Sequence, residues 1–201
     1  DDRGHLMAQT WLGATGHTGC MPAFGANLVE AFPPETVNPG DVFICNDPWL
    51  CNGQTADVFI TTPAFHKGKL VGFAVNTIHH VDIGGRKGSG LSEEVFEEGL
   101  IIPMLRLYDA GEPNEMLFDL IRRNVRYSEK MIGDLRAQVA TGWAGCRELE
   151  RLCAEFDFPD LREVSDEITG RTEEGIRAGL RELPDGEWRE EMMMDIDGID
   201  E

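Results

Sequence analysis

The sequence predicts an α+β fold, and three observations predict it. Residues 1–110 are rich in Gly, Pro, Thr and β-branched residues. Residues 111–183 instead repeat apolar side chains at steps of three and four, the spacing of one helical face. The β-rich half precedes the helical half and does not alternate with it, which argues against a regular α/β arrangement. A mixed or antiparallel sheet followed by long helices is expected. Residues 184–201 are expected to begin a further β segment, and 1–201 to form part of one domain cut from a longer polypeptide.

The elements follow in order. Asp1-Asp2-Arg3-Gly4 reads as a turn, with no secretory leader visible before it. Residues 21–32 read as a short helix with Pro22 near its start, where the missing N–H does no harm. The flanking stretch Gly16-His17-Thr18-Gly19 reads as a tight loop. Residues 41–45 form an apolar run after Pro39-Gly40 and predict a buried strand. Residues 57–62 alternate and are β-branched, which predicts a second strand. Lys67-Gly68 predicts a hairpin turn into a long apolar strand over 70–78 that runs directly into His79-His80. Ser92 is expected to open a short helix. Residues 115–125 and 129–156 are expected to be helical, the second burying Ile132, Leu135, Val139, Trp143, Cys146, Leu149 and Cys153. Leu161, Val164, Ile168, Ile176, Leu180 and Leu183 mark another helical face, so the last two helices are expected to pair.

Composition narrows the function. A formal net charge of −19 repels phosphate backbones, which excludes nucleic acid as a natural partner. No apolar run reaches membrane-spanning length. The five cysteines are odd in number and lack a Cys-x-x-Cys pair. A disulfide framework and a zinc ribbon are therefore not expected, and a cytoplasmic setting is.

The chemistry-bearing residues gather at predicted strand ends. His79-His80 followed by Asp82 and Gly84-Gly85 offers imidazole and carboxylate donors of the kind divalent Mn, Fe or Zn takes. A hydrogen-bonded histidine pair that finishes a strand accounts for the same residues. Asn46-Asp47-Pro48-Trp49 presents a carboxylate at a second strand end, or forms an ordinary turn. Asp57 is open to the same two readings. His17 sits beside a helix start, where an anion could be received. The stretch Gly84–Gly90 is glycine-rich and carries two cations, but it lacks the ending of a Walker loop. No dinucleotide fingerprint and no Gly-x-Ser-x-Gly elbow occur.

Several segments together carry a resemblance. Gly40-Asp41-Val42-Phe43-Ile44-Cys45-Asn46-Asp47-Pro48-Trp49, His79-His80-Val81-Asp82-Ile83-Gly84-Gly85 and Glu98-Gly99-Leu100-Ile101-Ile102-Pro103 appear in order. Asn124-Val125-Arg126 and Gly133-Asp134-Leu135-Arg136-Ala137-Gln138-Val139-Ala140 follow. This set resembles the hydantoinase B / oxoprolinase family, which also includes subunits of acetone and acetophenone carboxylases. The resemblance implies a hetero-oligomer in which an A-type partner uses ATP to activate the substrate and this part then acts on the intermediate. The implied reaction is hydrolysis of a cyclic amide. Carboxylation of a phosphorylated enol, or a non-catalytic partner-binding role, are the alternatives.

The resemblance also implies site residues. His79 and Asp82 match metal-binding positions of acetone carboxylase-like members. A further family ligand is a His in a Gly-Thr-His-x-x-Asp stretch, and here Gln54 stands in its place within Gly53-Gln54-Thr55-Ala56-Asp57. The expected metal set is therefore His79, Asp82 and Asp57, with His80 or Cys51 as other supplements. His80, Asp47 and His17 are the expected catalytic residues, with His79 as base where no metal binds. Asn46, Gly84 and Gly85 are expected to bind substrate.

Overall fold

The computed structural model describes residues 1–10, 15–86 and 92–192. Its centre is a five-stranded sheet in the order β3-β2-β1-β4-β5, antiparallel at every pairing. The strands are β1 (Val42–Cys45), β2 (Asp57–His66), β3 (Lys69–His79), β4 (Leu105–Asp109) and β5 (Glu112–Pro113). Two tight hairpins set the register. Lys67 and Gly68 take φ of 50° and 79°, and Ala110 and Gly111 take 48° and 94°. Positive φ at both central residues matches the twist of antiparallel strands.

Helices cover both faces of the sheet. Helix α1 (Thr15–Ala31) lies on one face, where the Phe24 ring packs at a tilt 4.8 Å from Phe59 and Leu28 packs with Phe43. Helices α2 (Glu115–Asn124) and α3 (Ser128–Glu155) cover the other. There Val42, Ile44, Val58, Ile60 and Leu107 meet Phe118, Ile121, Met131, Leu135 and Val139 in one core. Covered on both sides, β2 is buried along nearly its whole length, its polar Asp57, Thr61, Thr62 and His66 included, so its burial does not alternate. Asn114 caps α2 by accepting the Leu117 N–H at 3.1 Å, and Arg122 and Arg123 occupy its last turn, where cations complement the helix dipole.

Three expectations change. Helix α1 begins at Thr15, ahead of the predicted start at 21, so Pro22 lies inside it and Gly16–Gly19 are helical. Packing of Phe24 and Leu28 and the anchoring of His17, described below, outweigh the hydrogen bond that a proline cannot donate. Ser92 opens no α-helix; only a 3-10 turn at Val95–Glu98 follows. Residues 187–192 form no strand, and residues 193–195 lie outside the described residues.

Helix α4 (Arg162–Arg181) pairs with α3 only at its beginning, where Leu161 and Cys153 are buried together against Ala64 and Val71. Its later apolar residues Ile176 and Leu180, and Leu183 after it, are exposed. The N-terminal segment is tied across this helix instead. Asp2 takes a two-oxygen contact from Arg162 at 2.7 Å and 3.0 Å, and Arg3 reaches Asp166 at 2.6 Å. The segment then crosses α1 at a point where a Cβ on Gly4 or Gly25 would strike the other's backbone.

Candidate active site

The antiparallel order places the ends of β1 and β3 and the start of β2 at one end of the sheet. Asp57 and His79 are direct partners across the β2–β3 ladder. Their side chains share a face, because residues directly opposite in a sheet point the same way. His79 Nδ1 lies 2.8 Å from Asp57 Oδ1, and His17 Nε2, from α1, lies 3.2 Å from Asp57 Oδ2. Asn52 donates its amide to the same Oδ2 at 2.5 Å. A carboxylate that is itself 3% exposed thus holds two imidazoles and an amide.

The polarity of this cluster sets the tautomers. An ionised carboxylate only accepts, so each histidine donates the N–H that faces it. With Nδ1–H committed to Asp57, His79 keeps a lone pair on Nε2. Its side chain is 66% exposed, so that nitrogen is open to water. His17 is held by its edge-on contact with Phe59, 6.4 Å between ring centres.

The remaining predicted residues are placed elsewhere. His80 turns to the opposite face and is 2% exposed. Its Nε2–H donates to Gln138 Oε1 at 2.9 Å, and Gln138 passes a 2.9 Å hydrogen bond on to the Val58 carbonyl. Its Nδ1 is buried without a partner. Burial holds the His80 pKa below the ordinary 6.5 against the opposing pull of the Gln138 hydrogen bond and the Asp134 charge, so the ring is a neutral core group. Asp82 is committed to Arg126, whose guanidinium reaches Oδ1 at 2.6 Å and whose backbone N–H donates to Oδ2. Burial pushes its carboxyl up, but the backbone N–H groups of Arg126 and Gly84 and the Arg126 charge hold it below the usual range. Asp82 therefore ties the 82–85 loop to the start of α3; it does not join the Asp57 cluster.

Asp47 accepts the Trp49 N–H at 2.9 Å, and its carbonyl accepts from Leu50 and Cys51. This is the structural turn. Asn46 is 0% exposed; its amide donates to Thr55 and Leu100 carbonyls and its oxygen accepts the Ile102 N–H. No polar atom of that side chain is left for a substrate. Gly84 and Gly85 have φ of 86° and 58°, and a Cβ on either would strike backbone, of Asn124 for Gly84 and of 97–99 for Gly85. They close a packed loop instead of opening a cradle. Gln54 is exposed, and residues 87–90 of the glycine-rich stretch lie outside the described residues. All five cysteines are free.

Sequence reasoning missed Asn52 and Gln138. Asn52 lies in the loop leading into β2, five residues before Asp57, with no motif to mark it. Gln138 stands among the matched segments but on a predicted buried helix face, where only its pairing to His80 explains an amide.

Two imidazoles and a carboxylate are donors that divalent Mn, Fe or Zn accepts. Among the described residues, however, no group of three or more His, Cys, Asp or Glu side chains is arranged to hold a metal ion. The cluster as it stands is a hydrogen-bonded relay, and no step below is routed through a metal.

A protein of this kind, an antiparallel sheet clothed by helices with an Asp–His relay at one end, has counterparts in known proteins. The chain belongs to the Hydantoinase B/oxoprolinase family, whose model matches residues 1–200. It is 28% identical over 201 residues to a candidate D-/L-hydantoinase subunit of Pseudomonas sp. (strain NS671), covering 97% of this chain and 34% of that protein. It is 26% identical to the acetophenone carboxylase delta subunit of Aromatoleum aromaticum, covering 86% of this chain and 26% of that protein. The crystal structure of the ATP-dependent caprolactamase from Pseudomonas jessenii superposes with a TM-score of 0.77 at 31% identity, covering 85% of this chain and 30% of that one. The chain thus spans about a third of the length of the first relatives it matches. Among the described residues no helix is long and apolar enough to cross a membrane.

Proposed function

We propose that this chain supplies the hydrolytic centre of an ATP-dependent cyclic amidase, acting on a substrate that an A-type partner has activated. The single observation that carries the reading is the Asp57–His79 pair, with one imidazole nitrogen fixed and the other facing water. An anchored imidazole of this kind is the usual arrangement for proton transfer from water near neutrality.

The steps follow from the atoms. A water hydrogen-bonded to His79 Nε2 gives up its proton as its oxygen adds to the activated carbonyl carbon. Asp57 stabilises the imidazolium that forms, as an oriented carboxylate does in catalytic triads. His79 then returns the proton to the ring nitrogen as the C–N bond breaks, and where the activating group is a phosphoryl on the carbonyl oxygen, a second water releases it from the resulting acyl phosphate as inorganic phosphate. His17 and Asn52 hold the second carboxylate oxygen, so that Asp57 keeps its orientation through the cycle.

The test uses the complete protein with its ATP-using partner. Asp57→Asn and His79→Ala each lower cyclic-amide hydrolysis by about 10²–10⁴-fold, the usual contribution of general acid–base catalysis, while the partner's ATP hydrolysis persists. Full turnover by both variants refutes the assignment. The similarity to a carboxylase subunit favours a second reading, carboxylation of an activated enol. Product formation that requires bicarbonate selects that reading over hydrolysis.

A further inference from the structure

Beside the relay, a cavity of about 500 Å³ lies between α1, the N-terminal segment and the α3–α4 side of the fold. That volume suits a small organic ligand. His17 forms part of its wall, so it opens next to Asp57. Most of the remaining wall is apolar, with Met7, Met21, Phe24, Val75 and Leu152 among its residues. Thr77 also lines it. The Thr77 hydroxyl is buried and has no hydrogen-bond partner. It stands two residues before His79 on the same strand and hence on the same face, roughly 7 Å along the sheet.

Charge is the second observation. Among the described residues lining the cavity there is no lysine or arginine. Its acidic member, Asp1, is already held by Arg3 at 2.6 Å. A carboxylate brought into this space would lose its water and find no lysine or arginine to replace it; of the two imidazoles in the wall, His17 is already bonded to Asp57 at 3.2 Å and His5 lies beside the Asp1 carboxylate. An alkyl or aryl group would gain by leaving water.

We propose that this cavity is the substrate's side-group pocket, and that it selects an uncharged cyclic amide bearing an apolar substituent over one bearing a carboxylate. The ring lies between Thr77 and His79, with a polar ring atom on the Thr77 hydroxyl, the scissile carbonyl toward His79 and the substituent in the cavity. The assignment rests on the amidase reading for the identity of the ring, but the pocket's preference is measurable without turnover.

The experiment uses the complete protein with its partner. Equilibrium binding and hydrolysis are measured for two lactams of the same ring size, one alkyl-substituted and one carboxylate-substituted. The alkyl lactam binds at least tenfold more tightly to the wild type. Val75→Lys places a cation in the wall from a position already 36% exposed, so the fold tolerates it, and narrows or reverses that ratio. Thr77→Val, of nearly the same shape, weakens both lactams about equally. Equal binding of the two lactams, or a ratio indifferent to Val75→Lys, overturns the pocket. The binding preference without hydrolysis of either lactam upholds the pocket and removes the amidase reading.

Discussion

At the scale of single residues, the adjacent histidines show how one strand end divides two tasks. Alternation along β3 sends His79 to the Asp57 face and His80 into the core beneath α3. The sequence offered both as candidates, and only the pairing partners separate them. Asp57 across the ladder fixes one ring by its Nδ1, and Gln138 holds the other in the core. A neutral buried histidine makes stability depend on pH in a definite direction. Because its folded pKa is lowered, the unfolded chain binds the extra proton first. Stability is complete above about 6.5 and falls as pH drops below that value toward the folded pKa. Thermal denaturation between pH 7.5 and 5 shows this loss, and His80→Gln flattens the His80 part of the profile. An unchanged profile in that variant contradicts the assignment of His80 as a neutral core group.

At the scale of elements, the helix contacts are governed by where side chains are missing. The N-terminal segment reaches α1 backbone to backbone at Gly4 and Gly25. Gly25→Ala forces the two apart and costs about 3 kcal/mol, the upper part of the range for overpacking. Gly133, within α3, has nothing within 4 Å of where a Cβ would sit. Gly133→Ala therefore gains about 1 kcal/mol through helix propensity alone. Denaturant titration of the two variants, with opposite signs expected, checks the crossing. Elements were legible in proportion to their length and periodicity. The 3.6-residue pattern of α3 and the hairpin at Lys67-Gly68 were plain, because local chemistry fixes both. Strands β4 and β5 were not. β5 is two residues long and exists only because the Ala110-Gly111 turn returns the chain to β4. The early start of α1 was hidden too, since its first turns depend on a contact between His17 and Asp57, residues far apart in sequence.

At the scale of the whole molecule, the sheet end is a meeting place that the sequence only half disclosed. Motifs pointed to the region of 46–57 and 79–85, and the strand order brings those segments to one end. Which side chains are free there was not legible, because it depends on long-range partners. Arg126 occupies Asp82 from the start of α3, and the 100–102 backbone consumes Asn46. Charge acts on this whole body as well. A formal net charge of −19 repels itself across the folded surface, and salt screens that repulsion within about 8 Å at physiological ionic strength. Raising NaCl from 50 to 500 mM therefore raises the melting temperature at pH 7; a fall would mean that screened ion pairs such as Arg162–Asp2 outweigh the repulsion.

Among the described residues, strand β3 is the outermost member of its side of the sheet. His79 consequently stands at a corner, where strand terminus and lateral margin coincide. A group at the same level on β1 would be flanked by neighbouring strands; His79 has one on a single side only. Under the proposed amidase reading, shielding the amide from bulk solvent at such a corner cannot come from the sheet itself. Whatever rests against that margin decides how dry His79 is.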